Sequence, residues 1–502
     1  MLNEKEFNID DSLNVDDFFE DVPIKTKPKV SVGENQLLLP SGKLITFNEQ
    51  QTEALERIKK WLKTDKQFFT LEGFAGTGKS TIVKKVLDTY RYGVVVSAPT
   101  HQARKIISNT TGREGKTLHS LLGLRPDLEL PEYNPNALIF SAIAPPKIND
   151  YNWVVLDEGS QVNSYLFELM HKLIIGKRTK LLIMGDRAQL PPIQQVISPV
   201  FTHPDIERYQ LTKVERQSDD NPLMPVYDAL RDNLNSVDGG FVRKTNLNNN
   251  GDGIIITIDK KKFREMVLEK FKSEEYKKDS DFVKGLAWKN DTVMSSNKVV
   301  RDELFGKTAD IVEVDDVLRG YRTVTNEKQN YNIIENSADY KVMSKSIVRE
   351  NAYGISGYDV KLREDIGKGK FKFDDVFIID SNDHENLHLY AQMHDFFRDM
   401  GKTNKKAWRK YYEFRRCNLL MVNIEKHKSG ILRSSSDIIN RDIYYGYFIT
   451  VHKAQGSTYT NCIVMDTDIN LNWDIVERNK LRYVALSRPT SKAIVLTTKI
   501  DV

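Results

Sequence analysis

Gly73, Phe74, Ala75, Gly76, Thr77, Gly78, Lys79 and Ser80 carry the most chemical content in this sequence. Their order, G-x-x-x-x-G-K-S, is that of a phosphate-binding loop. Glycines let successive backbone N–H groups turn toward a phosphate chain, and a following helix adds partial positive charge. Lys79 would reach the β- and γ-phosphates and Ser80 would hold Mg²⁺, with Thr81 grouped beside them as nucleotide-binding. Asp157 can join Ser80 around the cation, and Glu158 can polarise an attacking water. Gln189 is a candidate sensor of the γ-phosphate, and Arg216 is a cation able to reach the same phosphate as charge develops on it. Gln51, with Gln50 one residue away, has the amide donor and acceptor needed to read an adenine edge. The chemistry implied is cleavage of a nucleoside triphosphate, ATP, with Mg²⁺.

Each of these groups needs an element to hold it. The apolar run Gln67 to Leu71 reads as a strand entering the loop, and Ser80 to Tyr90 has helical spacing. Val94 to Ser97 is a second buried strand, ending in Ala98-Pro99-Thr100-His101. Trp153 to Leu156 carries the two acids at its end, and Leu181 to Met184 precedes Gly185, Asp186 and Gln189. Carboxyl ends of parallel strands line ligand crevices, so Thr100 and His101 can touch a ligand there. Lys116 to Ser120, with His119, is a further polar cluster, of a kind more often structural. From Leu124 to Ile148 prolines interrupt the rhythm, and Leu128-Glu129-Leu130 can pair with Ala137 to Phe140 around Tyr133 to Asn136.

A second α/β series starts near 254 after an Asn/Gly-rich linker at 235–253. Strands are expected at Ile254 to Ile258 and Val283 to Ala287, and helices over 260–272 and 291–305. From about 320 to 440 short strands and charged, aromatic segments replace that pattern. Ala407 to Tyr412 is a basic–aromatic cluster that suits nucleic-acid contact as well as it suits half-buried rings under solvated charges. The α/β rhythm returns at Tyr444 to Thr450, Cys462 to Asp466 and Tyr483 to Pro489. Two such series with one phosphate loop imply two similar lobes with the site between them. Arg488 is then the second lobe's contribution.

At 502 residues the chain has room for several domains. It is 40% hydrophobic and 29% charged, ordinary for a soluble protein, and its net charge of +4 permits nucleic-acid binding without requiring it. No apolar run approaches a membrane span and no signal peptide is visible, so a cytoplasmic protein is expected. The two cysteines, Cys417 and Cys462, form no ligand pattern. Residues 1–40 begin acidic and continue into a Lys/Pro stretch, a composition that favours disorder. Asp16-Asp17-Phe18-Phe19-Glu20-Asp21 within it has the character of a docking peptide for a basic pocket.

Taken in order from Phe47 to Arg488, these motifs resemble superfamily 1 helicases of the 5′→3′ branch, most nearly the bacteriophage Dda type of DNA helicase. The residues that carry the resemblance are Gln51, Gly73–Ser80, Ala98–His101, Thr117–Ser120, Asp157-Glu158, Gly185-Asp186 with Gln189, Arg216, Val451–Gly456 and Ala485–Arg488. The likeness extends to Ser381–Trp408 and covers roughly 45–502.

It implies an α/β fold of two RecA-like P-loop NTPase lobes, parallel sheets flanked by helices. Domain 1A would take 41–123 and 149–230, domain 2A 231–320 and 441–502. The inserted β-hairpin pin, domain 1B, would be 124–148, with Phe140 or Tyr133 as its aromatic, Phe140 matching better. An SH3-like and helical accessory domain, 2B, would be 321–440. Thr100, His101, His119, His452 and Lys453 then sit in motifs that line the DNA path, and Arg216 and Arg488 in the two arginine-finger positions. Gly159 departs from the family, which more often has Ala or Val there; the expected consequence is a change in backbone freedom beside the acids.

By this resemblance the chain would be an ATP-dependent helicase moving 5′→3′ on single-stranded DNA and unwinding duplexes in phage replication or recombination. It would act as a monomer on strands and junctions, in host cytoplasm if viral. Two other readings stand beside it: a catalytically degenerate helicase-like module that binds or scaffolds single-stranded DNA, and an RNA-directed helicase.

Overall fold

The computed structural model describes residues 33–38, 44–90, 92–126, 140–142, 144–192, 194–214, 221–326, 331–367, 369–425 and 438–501. The chain forms two compact units, Met1–Asn48 and Glu49–Val502. In the first, Gln36–Leu38 pairs antiparallel with Leu44–Thr46, Leu37 opposite Ile45.

The second unit begins with a six-stranded sheet. Its strands lie in the order Glu207–Leu211, Phe68–Gly73, Lys180–Gly185, Trp153–Leu156, Val94–Ala98, Gly115–Thr117, and every pairing is parallel. Such a sheet is covered on both faces, which is why its strands read as continuous apolar runs. All six residues of Phe68–Gly73 are buried. The helix Glu49–Leu62 supplies one cover: Ala54, Leu55, Ile58 and Trp61 fall on one face at helical spacing, and Trp61 meets Phe69 at 5.6 Å between ring centroids.

A second sheet follows the order Asn246–Leu247, Gly253–Thr257, Pro489–Leu496, Tyr459–Met465, Val283–Ala287, Phe448–Thr450. Only the pair at its first edge is antiparallel. The helix Lys260–Lys272 has the expected bounds, and Asn290–Phe305 starts one residue early. Helix Ile475–Leu486 is buried continuously from Asn479 onward, on every side rather than along a stripe. Arg482 within it is paired: its Nε donates to Asp466 Oδ1 at 2.8 Å, both side chains 1% exposed.

Between the strands of the second sheet lies an antiparallel sheet in the order Arg349–Glu350, Ser356–Gly367, Asp339–Lys345, Val317–Gly320, Ile443–Tyr445. Ser356–Gly367 also pairs with Lys370–Ile379. Two helices, His384–Thr403 and Trp408–Cys417, pack on one another here. Trp408 and Tyr411 are buried, Gly401 fits against the Trp408 ring where a Cβ would come within 2.6 Å, and Tyr411 shares a 3.0 Å hydrogen bond with His394. The basic–aromatic cluster thus resolves in favour of buried rings, with Arg409 and Lys410 exposed over them.

Leu124–Pro126 pairs antiparallel with Phe140–Ala142, bringing Pro126 opposite Phe140. The expected strand Leu128 to Leu130, Tyr133, the Phe140 side chain, Arg216 and the acidic segment at 16–21 lie outside the described residues.

Candidate nucleotide and nucleic-acid site

The phosphate loop leaves the end of Phe68–Gly73 and enters helix Lys79–Thr89. Gly76 and Gly78 hold φ of 85° and 87°, left-handed values that a side chain resists. At Gly78 a Cβ would also lie 2.5 Å from Gln51 Nε2, so the Gln51 amide would have to move aside. That amide donates to Thr77 O at 3.0 Å, so Gln51 braces the loop from behind. Gln50 instead accepts from the backbone N–H groups of Thr212 and Lys213, each at 3.0 Å. Thr77 is fully buried and its hydroxyl donates to Phe74 O at 2.9 Å. Lys79 Nζ spans the loop, donating to Gly73 O at 2.6 Å and Phe74 O at 3.0 Å. Ser80 and Thr81 follow in the helix, half-buried.

Asp157 and Glu158 leave the end of Trp153–Leu156 in the same crevice. Asp157 Oδ1 accepts the Glu158 N–H at 2.9 Å. Burial raises the Asp157 pKa, against that hydrogen bond and the charge of Lys79. Burial raises Glu158 too, helped by Asp157 and opposed by Arg488 and Lys79. Charges from both lobes therefore reach one carboxylate. Glu158 adopts φ of 54°, unusual for a residue with a side chain. Gly159 follows it outside the left-handed region, and a Cβ there would lie 2.7 Å from Ile183 Cγ2 and 3.0 Å from Met184 O. Close packing, rather than backbone freedom, is what glycine provides at this departure from the family pattern.

Gln189 is 7% exposed, and its Oε1 has no hydrogen-bond partner among the described residues. A buried acceptor of this kind is costly unless a ligand or water meets it. Ser80 and Asp157 offer the hard oxygen ligands that Mg²⁺ takes. The donor set and the orphaned Gln189 acceptor both fit a metal-bound triphosphate.

Lobe two closes over this crevice with Arg488, as expected, and with residues to which the sequence reading assigned no role of their own. Tyr483 donates its hydroxyl to Asp186 Oδ2 at 2.7 Å and accepts the Ala75 N–H of the phosphate loop at 3.4 Å. Gln455 Nε2 donates to Leu190 O at 3.2 Å. Gly456 lies so near Glu158 that a Cβ would stand 3.1 Å from its Oε1. Arg231 covers the Phe74 ring at 4.2 Å. Arg488 is 3% exposed and gives its guanidinium to Val484 O, Ser457 O and Ser487 Oγ at 2.8–3.1 Å, all within lobe two. Its charge reaches the acids while its donors are held locally.

The candidate nucleic-acid residues fall in two groups. Thr100 caps helix His101–Thr111 by accepting from Ala103 N. His101 Nδ1 and an Arg104 nitrogen lie 3.4 and 3.5 Å from Glu335 Oε2 of the accessory region. Burial alone would raise Glu335, but the hydrogen bond and charge of His101 with the charge of Arg104 hold it down to about 2. Burial and nearby His101 lower the His119 pKa. In lobe two, exposed His452 stands 3.7 Å from Glu477, and Lys453 Nζ lies 3.6 Å from the Tyr321 ring centroid. Glu335 and Tyr321 escaped the sequence reading because their roles depend on strand pairings far away in the chain.

Residues 46–244 match the family model described as an AAA domain. The chain is 26% identical to the ATP-dependent DNA helicase dda of Enterobacteria phage T4 over 88% of its own length and 97% of that protein's. It is 27% identical to the ATP-dependent RecD2 DNA helicase of Deinococcus radiodurans over 40% of this chain and 26% of that one. Its fold is shared with a crystal structure of Bacteroides Pif1 bound to ssDNA, at a TM-score of 0.50 and 14% identity, covering 91% of this chain and 93% of that one. Along most of its length the chain is similar in sequence to the Dda helicase of phage T4, and it shares its fold with the Bacteroides Pif1 helicase.

Proposed function

We propose that the chain is an ATP-driven motor that moves 5′→3′ along single-stranded DNA and separates duplex DNA at junctions. The observation that carries this reading is the composite site: Tyr483, Gly456 and Arg488 of lobe two reach the loop and acids of lobe one. A site shared in this way opens and closes with its nucleotide, which couples hydrolysis to relative lobe movement.

In this mechanism Lys79 turns from the loop carbonyls to the β- and γ-phosphates. Glu158 orients the attacking water and takes its proton, a task suited to a carboxylate whose pKa is raised. Gln189 meets the γ-phosphate, and Arg488 with Arg216 stabilises its developing charge. Ser80 and Asp157 would hold Mg²⁺, which would supply neutralisation of the phosphate charge. Gln51 holds the loop, with Gly73, Gly76, Thr77, Gly78 and Thr81 forming the rest of the nucleotide cradle. Thr100, His101, His119, His452 and Lys453 grip the strand, and Phe140 of the pin wedges the duplex.

One chain supplies both halves of the nucleotide site, which supports a monomeric motor. No helix among the described residues is long and apolar enough to cross a membrane; work on phage DNA in the host cytoplasm is part of the proposal. The acidic N-terminal segment is read as a docking peptide for a replication protein. Unchanged partner binding and basal ATPase after deletion of 1–35 would remove that part.

The deciding experiment compares unwinding of 5′-tailed and 3′-tailed duplexes with ATP. Unwinding of the 5′-tailed substrate alone is expected. Unwinding only from the 3′ tail would reverse the polarity, and ATP-independent strand binding without unwinding would favour the degenerate module.

A further inference from the structure

Arg441 is 7% exposed, and its guanidinium lies 4.4 Å from the Tyr321 ring centroid and 4.8 Å from that of Tyr444. Stacking on two rings disposes of its flat faces. It leaves the in-plane N–H donors, and Nη1 is buried with no hydrogen-bond partner among the described residues. Lys453 shares the Tyr321 ring from lobe two, with Nζ 3.6 Å from its centroid.

Neither cation has a carboxylate among the described residues. Asp339, the carboxylate that reaches Lys453 electrostatically, already holds Lys284 at 2.9 Å and Arg319 at 2.7 Å. Asp442, next in sequence to Arg441, is taken by Arg322 at 2.7 Å and Arg415 at 2.8 Å. Arg319 adds a third cation, reaching Lys453 O at 3.2 Å, its own Nε without a partner among the described residues. Buried cations are ordinarily paired. Here an excess of them converges on the seam between lobe two and the accessory sheet.

We infer that Arg441 and Lys453, framed by Tyr321 and Tyr444, form a binding site for a backbone phosphate of the translocating single strand. The planar guanidinium matches two phosphate oxygens and the ammonium acts as a point charge beside it. Because the site joins the accessory sheet to lobe two, a phosphate held there fixes the strand to the moving half of the motor. Arg441 is thus a strand-positioning residue lying outside every motif that carries the family resemblance. The depressed basicity of Lys453, produced by burial and by Arg319 and Arg441, is the electrostatic sign of a site with too few anions.

This inference rests on the proposed action on single-stranded DNA, and the test separates the two. Affinity of the full chain for a fluorescent oligothymidylate is measured at several salt concentrations, for the wild type, Arg441→Gln and Arg441→Lys, together with each variant's thermal midpoint. Each phosphate contact contributes about 0.7 to the slope of log affinity against log salt for single strands. Arg441→Gln is expected to shrink the slope by about that amount and to weaken binding, with Arg441→Lys recovering the slope in part. An unchanged slope in Arg441→Gln, whatever its thermal midpoint, overturns the site and leaves Arg441 as packing between two tyrosines. No wild-type binding to the oligonucleotide overturns the underlying reading instead. If inorganic phosphate alone competes at concentrations that leave ionic strength constant, and does so equally in wild type and Arg441→Gln, the site is also overturned.

Discussion

The two lobes share a parallel sheet flanked by helices, yet they treat charge in opposite ways. Lobe one leaves its polar groups unfinished: Gln189 Oε1 has no partner among the described residues, and Glu158 is held in a left-handed turn with its pKa raised. The charge that lobe two brings to the site is held by its own atoms. Arg488 gives its donors to three oxygens of lobe two, and Asp466 receives Arg482, Thr497 and Asn470 within 3.0 Å. One lobe is built to be completed by a ligand, the other to carry a rigid set of charges toward it. A motor needs both, since a soft second lobe would close on nucleotide without transmitting the movement.

Breaking lobe two's reach into the site has the largest expected effect. Arg488→Lys keeps a charge but loses the fork geometry, and kcat for ATP hydrolysis should fall by about 10³-fold or more. An undiminished kcat would confine Arg488 to its local hydrogen bonds. On lobe one, Glu158→Gln should lower kcat by about 10²–10⁴-fold while nucleotide binding, read by a fluorescent analogue, persists. Loss of binding in step with kcat would move Glu158 from the chemistry to the cradle.

The rigidity of lobe two is tested by Asp466→Ala. It strands Arg482, 1% exposed, without its anion, a change worth about 3–5 kcal/mol and visible as an earlier denaturation midpoint. The seam between lobes is tested by Tyr483→Phe, which removes the donor to Asp186 and leaves a buried carboxylate oxygen short of a partner. About 1–3 kcal/mol of stability should be lost, together with weakened nucleotide binding. The smallest effect concerns pH. Burial, then Arg319 and Arg441, bring Lys453 down to about 7. Below that pH it is charged and attracts phosphate; above it the free protein must take up a proton to do so. Affinity for single-stranded DNA should therefore decline as pH rises from 6 to 8, by at most about tenfold per pH unit. The dependence should flatten in Lys453→Met.

The phosphate loop was legible because its chemistry lies in eight consecutive residues whose backbone angles follow from their types. Asp157 and Glu158 were legible because an apolar strand delivers them to a known end of a sheet. Tyr483 was not: the hydrogen bond from its hydroxyl to Asp186 spans 297 positions, and nothing in helix Ile475–Leu486 distinguishes this tyrosine from a packing residue. The cluster at Ala407 to Tyr412 was ambiguous for a different reason. Alternating rings and cations describe a strand-binding surface and a buried helix face equally, and only the fit of Trp408 against Gly401 decides between them. Arg441 gave no signal, since its surroundings come partly from Tyr321, 120 positions earlier in the chain and just beyond strand Val317–Gly320.

The central claim is that the ATP site is shared by two lobes whose closure is governed by the strand they hold. Steady-state ATP hydrolysis with and without saturating oligothymidylate tests it most directly. The account predicts a kcat that rises many-fold with the strand in the wild type and no such rise in Arg488→Lys. A hydrolysis rate indifferent to single-stranded DNA, in a protein that demonstrably binds it, would contradict the account.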